Sequence, residues 1–231
     1  MAKSIYDEVN ISIKPLLNEI KVEVAKKGVR RVKNISLEDL IKSMTGSRVE
    51  SKVIVSGFLP ENCLSVKISD ALKSIVLWRR PQQCDYTYFK TLFEGFPLPC
   101  MVFGFDIDPE GKVEGYRMAM VETGVPKPTT KLYEYPFSNV YKHTGICVGA
   151  ANELPVYKNF HSLASLPNHI LSLPNNDHNF SREYNRLHLG YRELLEHLQD
   201  KDAAYYYDKI LVPRGDGKTL QDFIDQNIHG Y

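Results

Sequence analysis

The sequence predicts an α+β fold, in which an antiparallel meander of strands is followed by a helical C-terminal part. Apolar and polar residues alternate with period two through residues 11–24, which is the pattern of half-buried strands. A second strand pair is predicted at residues 101–121, around the turn sequence Asp-Pro-Glu-Gly at 108–111. Beyond residue 184 the apolar residues instead recur every three or four positions, as in amphipathic helices. Strands that precede helices, rather than alternating with them, indicate the α+β class.

The N-terminal part, residues 1–95, is expected to form a smaller α/β extension. Ser36 should begin a short helix after the first strands, because its hydroxyl can accept from the backbone N–H three residues on. Three further strands are predicted, at Lys52–Ser56, Cys63–Ile68 and Lys73–Trp78. A segment rich in aromatic residues then leads to Pro97, and we place the domain boundary between residues 95 and 96.

The C-terminal part, residues 96–231, is expected to hold the meander, a loop with candidate catalytic residues, and helices packed on one side. An amphipathic helix is predicted over residues 184–198, where apolar side chains share one face. A final helix should begin at Thr219, since Asp222 three residues later completes a capping pattern.

The composition excludes several classes of protein. Lys plus Arg (29) nearly balances Asp plus Glu (28), so the net charge of +1 provides no broad electrostatic footprint for nucleic acid. The aromatic residues at 86–96 favour core packing over base stacking, which is far rarer. No apolar run approaches the ~18 residues that suggest a membrane span, and the N-terminus has no apolar region of a secretion signal. We therefore expect a cytoplasmic protein that binds neither nucleic acid nor a membrane.

The sequence also gives no sign of a cofactor or a metal. Its four cysteines are dispersed, without a C-x-x-C pair or zinc-ligand spacing, so free thiols are expected. The tripeptide Gly217-Lys218-Thr219 has the letters that end a phosphate-binding loop, but that motif requires a glycine where Val212 stands. Neither feature predicts a bound group.

Cys147 differs from the other three cysteines in the residues that precede it. Residues 135–149 read Tyr-Pro-Phe-Ser-Asn-Val-Tyr-Lys-His-Thr-Gly-Ile-Cys-Val-Gly. The segment resembles the active-site region of ubiquitin-conjugating enzymes, in which a His-Pro-Asn tripeptide and a Gly-x-Ile-Cys-like sequence frame the catalytic cysteine. Asn139 lies eight positions before Cys147, which is the spacing in those enzymes. Phe137-Ser138 replaces the His-Pro of the tripeptide, so we expect the loop to be held differently.

The chemistry of acyl transfer explains why these residue types belong together. A cysteine thiolate is a strong nucleophile, and its thioester is an acyl carrier that an amine can attack. The attack generates an oxyanion, which a side-chain amide donor can stabilise. Asn139 is the candidate for that donor. Alternatively, Asn139 holds the active-site loop through hydrogen bonds to the backbone. The sequence leaves both roles open.

The similarity to a known family extends over about residues 55–225. Besides the segment before the cysteine, it is carried by Gly57–Pro60, Val76–Pro81, Pro97–Phe103 and Ile210–Pro213, in that order. In these stretches the chain resembles the prokaryotic ubiquitin-conjugating-like family D, which includes the PRTRC system protein B sequences. The resemblance implies the UBC-like fold, an antiparallel meander with helices packed against it.

The resemblance also implies partners. Genes of this family lie beside those of a ubiquitin-like protein, an activating enzyme (a ThiF-like adenylating homologue) and a metallopeptidase of the deubiquitinase type. Cys147 is then expected to accept the ubiquitin-like protein as a thioester and to transfer it to an amine. The activating enzyme consumes the ATP, so this subunit requires no cofactor. The N-terminal extension either docks the activating enzyme or extends the sheet, and the pathway is either plasmid maintenance or antiviral defence.

Two other functions compete with the thioester carrier. The first is a non-catalytic scaffold of the same fold, which binds a ubiquitin-like protein or an activating enzyme; the presence of Cys147 disfavours it. The second is a cysteine hydrolase that uses His143, although such pairs usually come from distant positions. His178 and His188 are further imidazoles that can approach the cysteine. A catalytic thiol is expected to be partly exposed, whereas a structural one is buried and inert.

Overall fold

The chain divides into two compact units, Met1–Ile54 and Val55–Tyr231. A computed structural model describes residues 7–14, 19–44, 56–69, 72–142, 144–149 and 156–226 of the chain. The boundary expected between residues 95 and 96 lies within a strand of the larger unit. The assignment of an extension to residues 1–95 and of catalysis to residues 96–231 stays a prediction.

The smaller unit is built on a three-stranded antiparallel sheet. Its strands are β1 (Glu8–Lys14), β2 (Glu19–Lys26) and β3 (Val29–Ile35), with β2 in the centre. Lys27 and Gly28 connect β2 to β3 with φ angles of 49° and 79°. Two left-handed residues in succession form the turn that suits a two-residue hairpin, because their twist matches that of the strands.

A helix, α1 (Leu37–Met44), follows the small sheet. The Oγ atom of Ser36 accepts a hydrogen bond from the backbone N–H of Asp39 at 3.0 Å. This bond satisfies one of the donors that the first turn of a helix leaves without an intrahelical partner. The predicted start of the helix is therefore confirmed.

The larger unit combines an antiparallel sheet with a separate hairpin. In chain order, its described strands are β4 (Cys63–Ile68), β5 (Lys73–Arg79), β6 (Gln82–Tyr88), β7 (Thr91–Leu98), β8 (Met101–Ile107), β9 (Val113–Val121) and β10 (Leu132–Tyr133). Five of them form one sheet in the order β10-β9-β8-β5-β4, while β6 and β7 pair with each other. The α+β prediction is confirmed, although most of the strand predicted at Lys52–Ser56 lies outside the described residues.

The two faces of the five-stranded sheet bury separate apolar clusters, because successive side chains of a strand point to opposite faces. Ile75 and Phe103 belong to the cluster on one face, and Val76 and Val102 to the cluster on the other. All seven residues of β8 are buried. Burial of every residue is the pattern of a central strand that is covered on both faces.

Helices cover both faces of the sheet, so the prediction that they pack on one side only is wrong in that detail, although the α+β class holds. They are α2 (Leu166–Leu171), α3 (Tyr191–Leu198), α4 (Ala203–Tyr205) and α5 (Leu220–Asp225). α2 and α3 pack into the cluster that contains Phe103, whereas α5 packs with Leu220 and Phe223 into the cluster that contains Val102. No helix in the described part of the chain is long and apolar enough to cross a membrane.

The last helix begins where the sequence predicts. The backbone N–H and the hydroxyl of Thr219 each donate to Asp222 Oδ2 at 2.8 Å. These bonds tie the first turn of α5 to the residue before it. They also lower the pKa of Asp222, because they stabilise the charged carboxylate.

The helix predicted over residues 184–198 is wrong in its first half, since α3 begins only at Tyr191. Asn185 interrupts the pattern: its side chain accepts from the N–H of Leu189 at 3.0 Å and donates to the carbonyl oxygen of Leu189 at 3.2 Å. His188 adds a left-handed backbone with a φ of 51°. An asparagine that bonds to nearby backbone competes with helix formation, and this effect outweighs the apolar spacing.

Candidate active site

Asn139 and Cys147 are joined by their backbones. The N–H of Cys147 donates to the carbonyl oxygen of Asn139 at 2.7 Å. Inside this pair, the N–H of Tyr141 donates to the carbonyl oxygen of Gly145 at 2.8 Å. The spacing of eight residues therefore corresponds to a closed loop, here called the cysteine loop (residues 139–147).

The cysteine loop is attached to the edge of β9. The N–H of Ile146 donates to the carbonyl oxygen of Tyr116 at 3.0 Å, and the N–H of Met118 donates to that of Thr144 at 2.8 Å. Arg117 forms an antiparallel bridge with Gly145 between these two bonds. Because β9 belongs to the buried sheet, this attachment gives the loop a fixed support.

Phe137 anchors the chain two residues before the loop. Its side chain is fully buried. Ring centroids of Tyr135, Tyr86 and Phe96 lie 5.4, 5.5 and 5.7 Å from that of Phe137. Aromatic rings at such distances contribute beyond the area that they bury. The aromatic residue that replaces the histidine of the ubiquitin-conjugating tripeptide is thus a packing anchor.

Ser138 replaces the proline of that tripeptide and connects the loop to buried polar groups. Its side chain is fully buried, and its Oγ lies 3.1 Å from both Asn175 Oδ1 and the hydroxyl of Tyr191. The Tyr191 hydroxyl in turn lies 2.6 Å from that of Tyr86. Burial raises the pKa of both tyrosines, so their hydroxyls stay protonated and available for these hydrogen bonds.

Asn139 is held on both its side chain and its backbone. Its φ angle is 64°, a left-handed conformation that asparagine tolerates better than most residues. Its Nδ2 donates to the carbonyl oxygen of Pro174 and to Asn175 Oδ1, each at 3.1 Å. Its backbone N–H donates to the carbonyl oxygen of His178 at 3.2 Å. Both hydrogens of Nδ2 therefore have acceptors within the protein.

Asn175 links the cysteine loop to the β6–β7 hairpin. Its backbone N–H donates to the carbonyl oxygen of Thr87 at 2.9 Å, and its carbonyl oxygen accepts from the N–H of Phe89 at 2.8 Å. Its Nδ2 donates to the carbonyl oxygens of Leu173 and Thr87, at 3.0 and 3.2 Å. With its oxygen bound to Ser138 and Nδ2 of Asn139, the carboxamide of Asn175 is fully used in support of the loop.

The four cysteines differ in their surroundings. Cys147 is half-buried, as are Cys63 and Cys84, whereas Cys100 is buried. Burial raises the pKa of the Cys63 thiol, and it raises that of Cys84 to about 11. Thiols with a raised pKa are poor nucleophiles near neutral pH, because the thiolate is the reactive form.

Tyr141 accompanies Cys147 at the surface. Its side chain is 46 % exposed. A contact between its hydroxyl and the Cys147 thiol raises the pKa of Tyr141, while the nearby carboxamide of Asn179 lowers it. A neutral hydroxyl beside the thiol is a hydrogen-bond donor where a thiolate forms.

A cavity of about 10 Å³ adjoins the thiol on its protein side. Its lining combines the polar side chains of the loop support with apolar ones: Tyr86, Met118, Tyr135, Ser138, Asn139, Val140, Ile146, Cys147, Ile170, Leu171, Leu173 and Asn175. A volume of this size admits about one water molecule. The cavity is therefore too small for an organic group.

The family of the chain follows from a sequence comparison that agrees with this geometry. Residues 36–214 match the sequence model of prokaryotic E2 family D, which is more than half of the 231 residues. The chain belongs to prokaryotic E2 family D. No curated protein and no solved structure matches it. The family predicted from the sequence is thus confirmed, and the α+β architecture is consistent with the UBC-like fold.

Because the chain belongs to E2 family D, its role is, in general terms, like that of a ubiquitin-conjugating enzyme. It likewise implies interaction with ubiquitin-like proteins or activating enzymes, without specifying which. Among the described residues, no group of three or more His, Cys, Asp or Glu side chains is arranged to hold a metal ion.

The histidines of this E2 family D protein have different relations to the cysteine. His143 lies outside the described residues. His178 reaches the cysteine loop through its carbonyl oxygen, which accepts from the N–H of Asn139. His188 is exposed, and its N–H donates to the carbonyl oxygen of Asn185 at 3.0 Å.

Several residues at the site are absent from the sequence prediction. Tyr141, Asn175 and Asn179 all lie at or beside the cysteine loop, yet none of them belongs to a recognised motif. The run Asn-Asn-Asp-His-Asn at 175–179 carries a weak signal, because such residues often bond to nearby backbone in turns. Composition alone cannot indicate which distant loop such a run supports.

Proposed function

We propose that this E2 family D protein carries a ubiquitin-like protein as a thioester on Cys147. The hydrogen bond from the N–H of Cys147 to the carbonyl oxygen of Asn139, at 2.7 Å, carries the proposal. It holds Asn139 and Cys147, whose spacing of eight residues resembles that in ubiquitin-conjugating enzymes, at opposite ends of one closed loop. The partial exposure of Cys147 supports the same role, since an acyl carrier must be reached by its partner.

Loading is a transfer between two thiols. The Sγ of Cys147, as the thiolate after loss of its proton to solvent, attacks the carbonyl carbon of the thioester that links the ubiquitin-like protein to its activating enzyme. A new carbon–sulfur bond forms, the carbonyl oxygen becomes an oxyanion, and its collapse breaks the old carbon–sulfur bond. The activating enzyme leaves as a thiolate, so the total number of thioesters does not change.

Discharge transfers the same acyl group to an amine. The amine nitrogen attacks the carbonyl carbon of the Cys147 thioester, a second oxyanion forms, and its collapse breaks the bond to sulfur. Cys147 leaves as a thiolate, and the proton lost by the amine passes to solvent. Neither ATP nor a cofactor enters this step, because the activating enzyme has already provided the energy of the thioester.

In this proposal Asn139 supports the loop. Its Nδ2 bonds to the carbonyl oxygen of Pro174 and to Asn175 Oδ1, so both hydrogens are already used. A donor engaged in this way is not free to bind an oxyanion unless these bonds break. Of the two roles that the sequence leaves open, holding the loop is therefore the better supported.

The ubiquitin-like partner is expected to bind on the outer side of the cysteine loop. The cavity beside Cys147 holds about 10 Å³, which excludes a peptide segment from the protein side. Tyr141 and Lys142 are exposed on the loop. The acyl chain of the partner therefore approaches Cys147 past these side chains.

A non-reducing gel tests the proposal. The chain is incubated with ATP and with the activating enzyme and the ubiquitin-like protein encoded beside it. We expect a shifted band that a thiol reagent removes and that Cys147→Ala lacks, while Cys63→Ala, in which a half-buried cysteine of the same unit is changed, keeps it. If the activating enzyme is charged and the wild-type chain is not, the non-catalytic scaffold replaces the thioester carrier as the preferred function.

A further inference from the structure

Strand β1 forms an open edge of the sheet in the smaller unit. Within the described residues it pairs only with β2, and all seven of its residues are exposed. The pairing runs without a shift in register from Glu8 opposite Ala25 to Lys14 opposite Glu19, so no bulge twists this edge away. An edge strand of this kind has backbone N–H and C=O groups that another strand can bind.

The two edges of the small sheet differ in how they are protected. Natural proteins prevent pairing at an edge with proline, or with lysine and other charges along the strand. β1 contains no proline, and its one basic residue, Lys14, stands at its end. β3, at the opposite edge, carries Arg30, Arg31 and Lys33 within its seven residues. Charge therefore protects the β3 edge, whereas the β1 edge is open to a partner strand.

One face of β1 is apolar although it is exposed. Val9, Ile11 and Ile13 lie on the same face, because side chains alternate along a strand. They are 49, 42 and 54 % exposed. Their cross-strand partners on β2 continue the apolar face: Val24, Val22 and Ile20. A contiguous apolar surface that reaches an open edge marks an interaction surface.

The apolar face of β1 is complementary to itself when two copies of the strand run antiparallel. With Ile11 opposite Ile11 of the second copy, Val9 lies opposite Ile13, and Ile13 opposite Val9. Every apolar residue of the strand then meets another apolar residue. Cross-strand pairs of β-branched side chains stabilise a sheet.

The polar face is complementary in the same register. Glu8 lies opposite Lys14 of the second copy, and Asn10 lies opposite Ser12. Opposite charges therefore meet at both ends of the strand pair, which is favourable. A shift of one residue would place the apolar face of one copy beside the polar face of the other, and a shift of two would separate both charge pairs.

We propose that two copies of this chain associate through β1, with the strands antiparallel about a two-fold axis at Ile11. The two three-stranded sheets then form one continuous sheet. Such a contact is isologous, since the same strand serves both copies, and it closes the assembly at two. A sheet of only three strands is near the minimum for independent stability, so a second copy would also stabilise the smaller unit. This association does not depend on the proposed thioester function.

Charge reversal at the ends of β1 tests the register without changing the apolar face. Glu8→Lys makes both ends of the strand positive, and Lys14→Glu makes both negative, so neither variant should pair well with itself. A mixture of the two single variants restores opposite charges at both ends. The double variant Glu8→Lys/Lys14→Glu restores them within one chain. Lys33→Glu is the matched control, since it reverses an exposed charge at the β3 edge.

Sedimentation velocity of the full chain over a range of protein concentrations measures the association. We expect a dimer for the wild type, and a dimer of the same affinity for Lys33→Glu. Each single variant should associate roughly tenfold more weakly, because two charge pairs in each dimer become repulsive. The double variant and the mixture should recover the affinity of the wild type.

Two results would overturn the proposal. One is a wild-type chain that stays monomeric at every concentration, and the other is a dimer whose affinity neither single variant changes. Far-UV circular dichroism checks that each variant keeps its strands. Glu8 lies opposite Ala25 in its own sheet, so Glu8→Lys tests the contact even where Lys14→Glu, opposite Glu19, weakens its own hairpin. Recovery in the mixture further excludes misfolding as the cause of dissociation.

Discussion

The backbone N–H of Cys147 donates to the carbonyl oxygen of Asn139 at 2.7 Å, so main-chain atoms join the two residues that the ubiquitin-conjugating register pairs. A bond between main-chain atoms does not depend on the side chain at either position. The side chain of Asn139 is nevertheless specific, since it binds Pro174 and Asn175. Substitutions at Asn139 should therefore act through these two bonds and through its left-handed backbone.

Asn139→Ala is expected to destabilise the fold more than Asn139→Gly. Both variants lose the two hydrogen bonds of the carboxamide, and a bond of this kind contributes about 1 kcal/mol. Alanine also carries the left-handed φ of 64°, which costs roughly 1–2 kcal/mol more than in glycine. Urea unfolding measures the difference. Equal stabilities would show that the conformation of Asn139 is not held in solution.

Ser138→Ala is expected to lower the free energy of unfolding by about 1–2 kcal/mol. The variant removes a buried hydroxyl that lies 3.1 Å from Asn175 Oδ1 and from the hydroxyl of Tyr191, and it leaves these groups without that partner. Ser165→Ala, at an exposed position, is the control and should stay within about 0.5 kcal/mol of the wild type. Similar losses in both variants would contradict a special role for the buried serine.

The parts of the fold that local sequence determines could be predicted. The hydroxyl of Ser36 and the carboxylate of Asp222 cap the helices that they were expected to cap, because a cap needs only residues three positions apart. The turn at 108–111 joins the predicted strands for the same reason. The pairing of Asn139 with Cys147 could also be predicted from their spacing of eight residues, since the loop between them is short.

The support of the cysteine loop could not be predicted. Asn139 finds its side-chain partners at Pro174 and Asn175, 35 and 36 positions later. Such contacts depend on how the segment after α2 returns to the β6–β7 hairpin, and no periodicity or motif encodes that return.

Cys147 is expected to react with iodoacetamide faster than the other three cysteines near neutral pH. Cys100 is buried, and burial raises the pKa values of Cys63 and Cys84. Peptide mass spectrometry after brief labelling identifies the modified thiol. Preferential labelling of Cys63 or Cys84 would contradict the assignment of Cys147 as the accessible nucleophile.

The same labelling should depend on pH at Cys84. Its pKa is raised from 9.0 to about 11, mainly by burial, so its thiolate and its reactivity should grow as the pH approaches 11. The folded state binds the thiol proton more tightly than the unfolded state. The contribution of the Cys84 thiol to the free energy of unfolding is therefore fully present below pH 9, and it is lost as the pH rises through 11. Cys84→Ala should reduce the alkaline loss of stability in thermal unfolding.

Thr144→Gly is expected to stabilise the protein. Thr144 is buried and has a φ of 74°, and a left-handed backbone costs a β-branched residue roughly 1–2 kcal/mol. Its Oγ1 is buried without a hydrogen-bond partner in the described part of the chain. Glycine removes both penalties, while its greater freedom in the unfolded chain costs about 0.4–1 kcal/mol. A net gain of about 0.5–1 kcal/mol in urea unfolding follows from these opposing terms.

Thr130→Gly is the matched control, because Thr130 is also buried but its Oγ1 accepts from the N–H of Lys127 at 2.8 Å. Loss of that bond and the freedom of glycine should destabilise this variant by about 1–2 kcal/mol. Opposite signs at the two threonines would show that strain is stored in the cysteine loop itself. If Thr144→Gly destabilises as much as Thr130→Gly, packing of the Thr144 side chain outweighs the strain of its left-handed backbone.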